Sequence, residues 1–140
     1  MDTTKNNIND KHLEFIQNTI SRMGQNSFQA KTWNVTILSA IFTFYLVQNE
    51  SVNFKLLFVI SLGVTVLFCL IDVYYLYLER GYRYLYNEVI SGKENIAHYS
   101  MAIPQCKRGI IPFFKAFLSF STSGFYGSIF IGLIIINNII

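Results

Sequence analysis

The chain has 140 residues, 52% hydrophobic and 14% charged, with a net charge of +3 and a mean hydropathy of +0.37. Soluble domains carry about 25% charged residues, so so short a chain lacks the polar side chains to coat a water-facing surface. Thirteen Phe and nine Tyr exclude disorder, whose signature is the reverse composition.

The first nine residues are polar and Asn-rich and are expected to form a frayed tail. From Asp10 to Lys31, Leu13, Ile16, Ile20, Met23 and Phe28 recur at roughly helical spacing. Glu14, Asn18, Arg22 and Gln25 take the opposite face. This predicts an amphipathic helix over 10–31 with Asp10 as its N-cap. It leads into an uncharged segment, 33–47, of about 15 residues, short of the ~20 that a span needs. The span becomes long enough if the helix enters the interface near Phe28, with Lys31 snorkelling and Trp33 at headgroup depth. The polar stretch 48–53 makes a turn.

A second apolar segment, 54–78, carries Lys55 at its mouth and Asp72 as its one internal charge. It is expected to leave the membrane and continue as a helix to 91, ending near Ser91 and Gly92. A polar loop, 92–109, contains Pro104. The third apolar segment, 112–136, has Pro112 in a first-turn position and Lys115 near its start. The predicted fold is all-α: an integral membrane protein forming one domain, with an N-terminal amphipathic helix and three transmembrane helices. The polar N-terminus argues against a secretory signal peptide.

Lys and Arg fall in two stretches. One holds Lys5, Lys11, Arg22 and Lys31; the other holds Arg80, Arg83, Lys93, Lys107 and Arg108. The positive-inside rule then places the N-terminus and middle loop in the cytoplasm, and the turn and C-terminus outside. Lys55 is the dissenting charge. The mild basic excess suits an anionic membrane surface better than nucleic acid.

Enzymatic motifs are missing from the sequence: it has no Gly-rich phosphate loop, HExxH, Cys cluster or Gly-x-Ser-x-Gly elbow. Cys69 and Cys106 lie in unlike surroundings, which argues against a disulfide or a metal site. His12 and His98 are expected at the surface, and neither has the upstream Arg of a HEPN-type ribonuclease. The expectation is a non-enzyme without cofactor or metal.

Asp72 stands out, because a carboxylate in a transmembrane run costs about 2.5–3.5 kcal/mol and needs a partner or water. Glu79 and Arg83 follow on the same helical face, with Tyr75, Tyr82 and Tyr86 beside them. One reading makes this a gate or ion-path group. The simpler one ties Asp72 to Arg80, Arg83 or Arg22 at the cytoplasmic interface, where it fixes helix depth.

Small polar residues line each segment: Thr36, Ser39, Ala40 and Thr43 in the first, and Ser61, Thr65 and Cys69 in the second. The third has two rows, Ser119/Ser123/Gly127 and Gly124/Ser128/Gly132. Such rows let helices approach closely in lipid, within one chain or between subunits. The Tyr-rich stretch 74–86, with Arg80 and Arg83, reads as an interfacial aromatic belt rather than a base-stacking platform.

Leu13-Glu14-Phe15-Ile16-Gln17-Asn18, with Ile20, Arg22-Met23, Asn26-Ser27-Phe28, Lys31 and Trp33, resembles the opening of a family of small, mostly uncharacterised bacterial membrane proteins. Asp72-Val73-Tyr74-Tyr75-Leu76, with Glu79-Arg80, Arg83 and Leu85-Tyr86, resembles that family's segment at the exit of its second span. The resemblance covers about a third of the chain and brings no enzymatic motif. It implies a multi-pass bacterial inner-membrane protein, and small proteins of this general kind include membrane-acting effectors of anti-phage defence. It also implies that Asn18, Arg22, Asn26, Asp72, Glu79 and Arg83 form one cytoplasmic-side network.

Two functions stay open. One is an oligomeric membrane protein that perturbs the bilayer or conducts across it. The other is an accessory subunit or anchor that holds a cytoplasmic protein partner through its N-terminal and 79–91 helices.

Overall fold

A computed structural model describes the backbone of residues 2–48, 53–91 and 100–139, and the side chains of these except 2–9, 48, 106 and 139. Four α-helices follow one another: α1 (Asp2–Gln48), α2 (Phe54–Ile90), α3 (Ile110–Phe117) and α4 (Phe120–Ile139), with a 3₁₀ turn at Gln105–Lys107. Among the described residues there is no strand. Three helices, all but α3, are long and apolar enough to cross a membrane.

α1 is one unbroken helix of 47 residues. The amphipathic segment and the first apolar segment are therefore continuous, with no Pro or Gly at their junction to interrupt them. Residues 2–9, expected to fray, are helical, and Asp10 lies inside the helix rather than capping it. Nucleation is the costly step, so a helix already held by its neighbours extends at little cost per added residue. α2 has the expected bounds. The Asn53 side chain accepts the Lys55 N–H at 3.0 Å at its start, and Ser91 closes its end by donating to the Asn87 carbonyl.

α1 and α2 run antiparallel. Tyr45 meets Phe54 edge-on with ring centres 5.1 Å apart near the connection, while Ser27 meets Asp72 far from it. The buried face of α1 runs through His12, Ile16, Ser27, Ala30 and Asn34. Phe28, expected on that face, is 70% exposed. It lies five residues beyond Met23, about 140° round the helix at 100° per residue, whereas Ser27 lies four beyond and stays in register. Phe28 and Trp33 both face outward.

The third apolar segment, expected as one helix over 112–136, is two. Leu118 and Ser119 interrupt it: Ser119 N–H turns to the Ala116 carbonyl at 3.1 Å instead of reaching Lys115. The Lys115 carbonyl so released accepts Arg80 Nη1 at 2.9 Å, and Ser119 Oγ accepts Arg80 Nη2 at 2.7 Å. An arginine on α2 thus occupies the break between α3 and α4. Pro112 does sit in the first turn of α3.

A core of Cys69, Val73, Ala116 and Tyr126, with Phe68, Leu76, Tyr77 and Phe113 against it, joins α2 to α3 and α4. Tyr126 donates its hydroxyl to the Phe68 carbonyl at 3.1 Å, which satisfies a polar tip buried among rings. Cys69 is a free, buried thiol; the Cys106 side chain lies outside the described residues. Residues 100–104 close over the polar ends of α1 and α2. His12, expected at the surface, is 3% exposed, with Nε2 3.0 Å from the Ser100 carbonyl. A carbonyl can only accept, so that imidazole nitrogen carries the proton. Ile103 sits on Gly81, where an added Cβ would come within 2.8 Å of it. His98 lies outside the described residues.

Candidate functional site

The charged centre of the molecule is a three-residue group between α1 and α2. Asp72 is fully buried. Its Oδ1 accepts the Ser27 hydroxyl, and its Oδ2 is held by the Lys31 ammonium at 2.6 Å. Lys31 also donates to Ser27 Oγ at 3.2 Å, so the serine links both charges. Ser27 and Lys31 are four residues apart and share one face of α1. Together the group carries no net charge, which is the form in which two ions survive out of water.

More polar groups line the same interior. Thr65 and Asn34 are fully buried, and Ser61 is nearly so. Ser61 and Thr65 satisfy their hydroxyls on their own helix, bonding to the carbonyls of Leu57 at 2.9 Å and Ser61 at 2.8 Å. Asn34 does not: neither its amide nitrogen nor its oxygen has a hydrogen-bond partner, and the same holds for the buried Thr122 hydroxyl.

The six residues expected to form one network fall into separate places. Asp72 pairs with Lys31 and not with Arg80, Arg83 or Arg22. Glu79 and Arg83 form their own (i, i+4) pair on α2, Nη2 to Oε1 at 2.7 Å, with the Glu79 carboxylate over Gly24 of α1. Asn18 and Arg22 are exposed on α1 and, with His12, Thr19 and Met101, line a surface cleft of about 490 Å³. Asn26 is half-buried on α1. Arg80 serves the α3–α4 break instead.

The small-residue rows of α4 make no close helix contact inside the chain, although Gly132 lines a cleft of about 290 Å³ with Ser39 of α1 and Ser61 of α2. Nothing lies within 4 Å of where a Cβ on Gly124, Gly127 or Gly132 would sit. Ser123 and Ser128 are exposed and donate to the nearby carbonyls of Ser119 and Phe125. Ser119 alone is engaged, through Arg80.

On α1 the small polar residues also face outward. Thr32, Thr36, Ser39 and Thr43 are all exposed, at spacings of four, three and four. At 100° per residue they lie within roughly 60° of arc, opposite the face that carries Ser27, Ala30 and Asn34. Each hydroxyl bonds to the carbonyl four residues earlier, at 2.8–3.1 Å, leaving its lone pairs to the outside. Large apolar side chains flank the row on the outer surface, including Phe42, Phe44 and Leu46 on α1, and others are exposed on α2, including Val66, Leu67 and Leu70.

Sequence reasoning missed Lys31 as the partner of Asp72, although a signal was present. Lys31 lies 17 residues before the end of α1 and Asp72 lies 18 after the start of α2. In an antiparallel hairpin, equal steps from the connection meet. Ser27, Asn34 and Thr122 had no such signal, because a buried polar residue on an apolar helix looks like an exposed one in sequence. Among the described residues no three His, Cys, Asp or Glu side chains come together as metal ligands would. No family model, curated protein or solved structure matches this chain.

Proposed function

We propose that this chain is a multi-pass membrane protein that self-associates and lowers the barrier of the bilayer, without enzymatic chemistry. The observation that carries the reading is the hydroxyl row Thr32, Thr36, Ser39 and Thr43, set on the face of α1 opposite α2. A helix that met only lipid would gain most from apolar side chains on that face, as its neighbours Phe42 and Leu46 provide. A row of outward lone pairs suits the wall of a hydrated path between copies. The exposed Gly124 and Ser128 of α4 supply a surface on which a second copy's backbone approaches closely in lipid.

The depth of the charged centre supports the same placement. Seventeen residues of α1 separate Lys31 from its last residue, about 26 Å at 1.5 Å per residue, against a hydrocarbon core of ~30 Å. The Lys31–Asp72 pair then sits at the inner edge of the core and holds α1 and α2 in register there. It anchors the wall and does not form the path. α4, with 20 residues, spans about 30 Å and crosses once. The basic end, which carries Arg22, Arg80, Arg83, Lys107 and Arg108, faces the cytoplasm by the positive-inside rule. A bacterial inner membrane and a role as a defence effector accord with the family resemblance.

Inducing the protein in bacteria loaded with a potential-sensitive dye tests this. The wild type should depolarise the cells, and Thr36→Val/Ser39→Ala/Thr43→Val should insert equally and leave the potential intact. A wild type that reaches the membrane and leaves the potential unchanged would sink the reading.

The exposed Phe15, beside Asn18 and Arg22 on the polar third of α1, favours a second reading, an anchor for a cytoplasmic protein. That partner should then come down with the detergent-extracted wild type and be lost from Phe15→Ala/Arg22→Glu.

A further inference from the structure

A cleft of about 890 Å³ opens at the basic end, between the last third of α2 and the start of α3. Its wall carries Arg80, Arg83, Lys107, Arg108 and Lys115, and no Asp or Glu. Arg83 is paired with Glu79 at 2.7 Å. Arg80 spends its N–H groups on two neutral oxygens, the Lys115 carbonyl and Ser119 Oγ, and so keeps its full charge. The Lys107 ammonium lies 4.7 Å from the centre of the Tyr84 ring, a contact that positions a cation without neutralising it. Arg108 and Lys115 are exposed.

The start of α3 adds to this field. Gly109 precedes it with φ of +122°, a backbone that side chains rarely adopt, and no side chain caps the helix. Pro112 has no N–H, and the Phe113 N–H reaches back to the Gly109 carbonyl at 3.4 Å. The first-turn N–H groups of Ile110 and Ile111 therefore have no acceptor within the helix, and the helix dipole is positive there.

The cleft has an apolar margin. Ile110 and Ile111 are 74% and 71% exposed, and Phe114, Leu118 and Phe120 continue that apolar surface along the chain. A soluble phosphate ester has no use for such a margin, whereas a phospholipid sets its phosphate among cations and its chains along the apolar flank. We propose that this cleft binds the phosphate headgroup of an anionic phospholipid in the leaflet at the basic end. The assignment rests on the membrane reading and is independent of conduction.

Native mass spectrometry of the detergent-purified full chain, titrated with phosphatidylglycerol or phosphatidylcholine of identical acyl chains, tests it. Phosphatidylglycerol should be retained in preference. Lys107→Gln/Arg108→Gln should weaken that binding about 30-fold, from roughly 5-fold for each cation near an anionic surface. Lys11→Gln/Lys55→Gln removes the same charge elsewhere and should leave binding unchanged. If the first double variant does not fold, Lys115→Gln alone should weaken binding roughly 5-fold. Equal retention of the two lipids would overturn the proposal, as would equal losses in both double variants. Displacement of phosphatidylglycerol by an equal concentration of glycerol 3-phosphate would also overturn it, by assigning the cleft to a soluble anion. The membrane reading fails separately, if the chain stays dispersed without detergent.

Discussion

Removing Lys31 should destabilise the protein more than removing the charge of Asp72, although the two form one ion pair. Lys31→Met leaves the Asp72 carboxylate fully buried with only the Ser27 hydroxyl for company. A short side chain at 0% exposure has no route to water, so an uncompensated charge remains in the interior, at a cost of about 3–5 kcal/mol. Asp72→Asn strands the ammonium instead, but the Lys31 side chain is already 15% exposed. Its four-carbon stem can carry the charge outward, so the loss should be nearer 1–3 kcal/mol, that of an unsatisfied polar group. Lys31→Met/Asp72→Leu removes both charges together and should come within about 1 kcal/mol of the wild type or exceed it. Reversible SDS unfolding of the detergent-solubilised protein, followed by helical signal, measures all three. Single variants that both match the wild type, or a double variant that loses the sum of the two singles, would contradict a buried, mutually compensating ion pair.

Asn34→Leu should stabilise the fold by about 1–3 kcal/mol, because it removes a buried amide with no partner, and the same SDS titration reads it. Arg80→Gln should free the Lys115 carbonyl and Ser119 hydroxyl and cost about 1.5–3 kcal/mol for charge-assisted bonds; hydrogen exchange should rise over 115–123 and stay unchanged in α1. Gly109→Ala should cost about 1–2 kcal/mol, since alanine does not readily adopt a positive φ, with faster proteolysis between α2 and α3 as the readout. Gly81→Val should lift Ile103 off α2, visible as increased exchange at 100–104.

The features readable from sequence were those set by local pattern. α2 runs from 54 to 90 because a long apolar run passes without a proline into a helix with its own (i, i+4) pair, Glu79 and Arg83. The split between α3 and α4 was not readable. Leu118 and Ser119 include neither Pro nor Gly, and the break is fixed by Arg80, 35 residues earlier than Lys115. The placement of Phe28 failed on angle alone, since one residue moves a side chain about 100° round a helix. The grouping of Asp72 with Glu79 and Arg83 followed the rule that residues on one helical face meet. Asp72 faces α1, however, and its partners come from the other helix of the hairpin, where distance from the connection was the useful count. The outward direction of the α1 hydroxyl row and of the α4 glycines depends on which faces α2 covers, and that is a property of the packed structure.

Planar bilayer recording of the purified chain measures conduction by self-associated copies without any other protein present. The wild type should produce steps of current that grow steeply with protein concentration, as self-association requires, and Thr36→Val/Ser39→Ala/Thr43→Val should abolish them at equal incorporation. A silent bilayer containing correctly folded wild type, or undiminished current from the triple variant, would contradict a conducting path along the hydroxyl row.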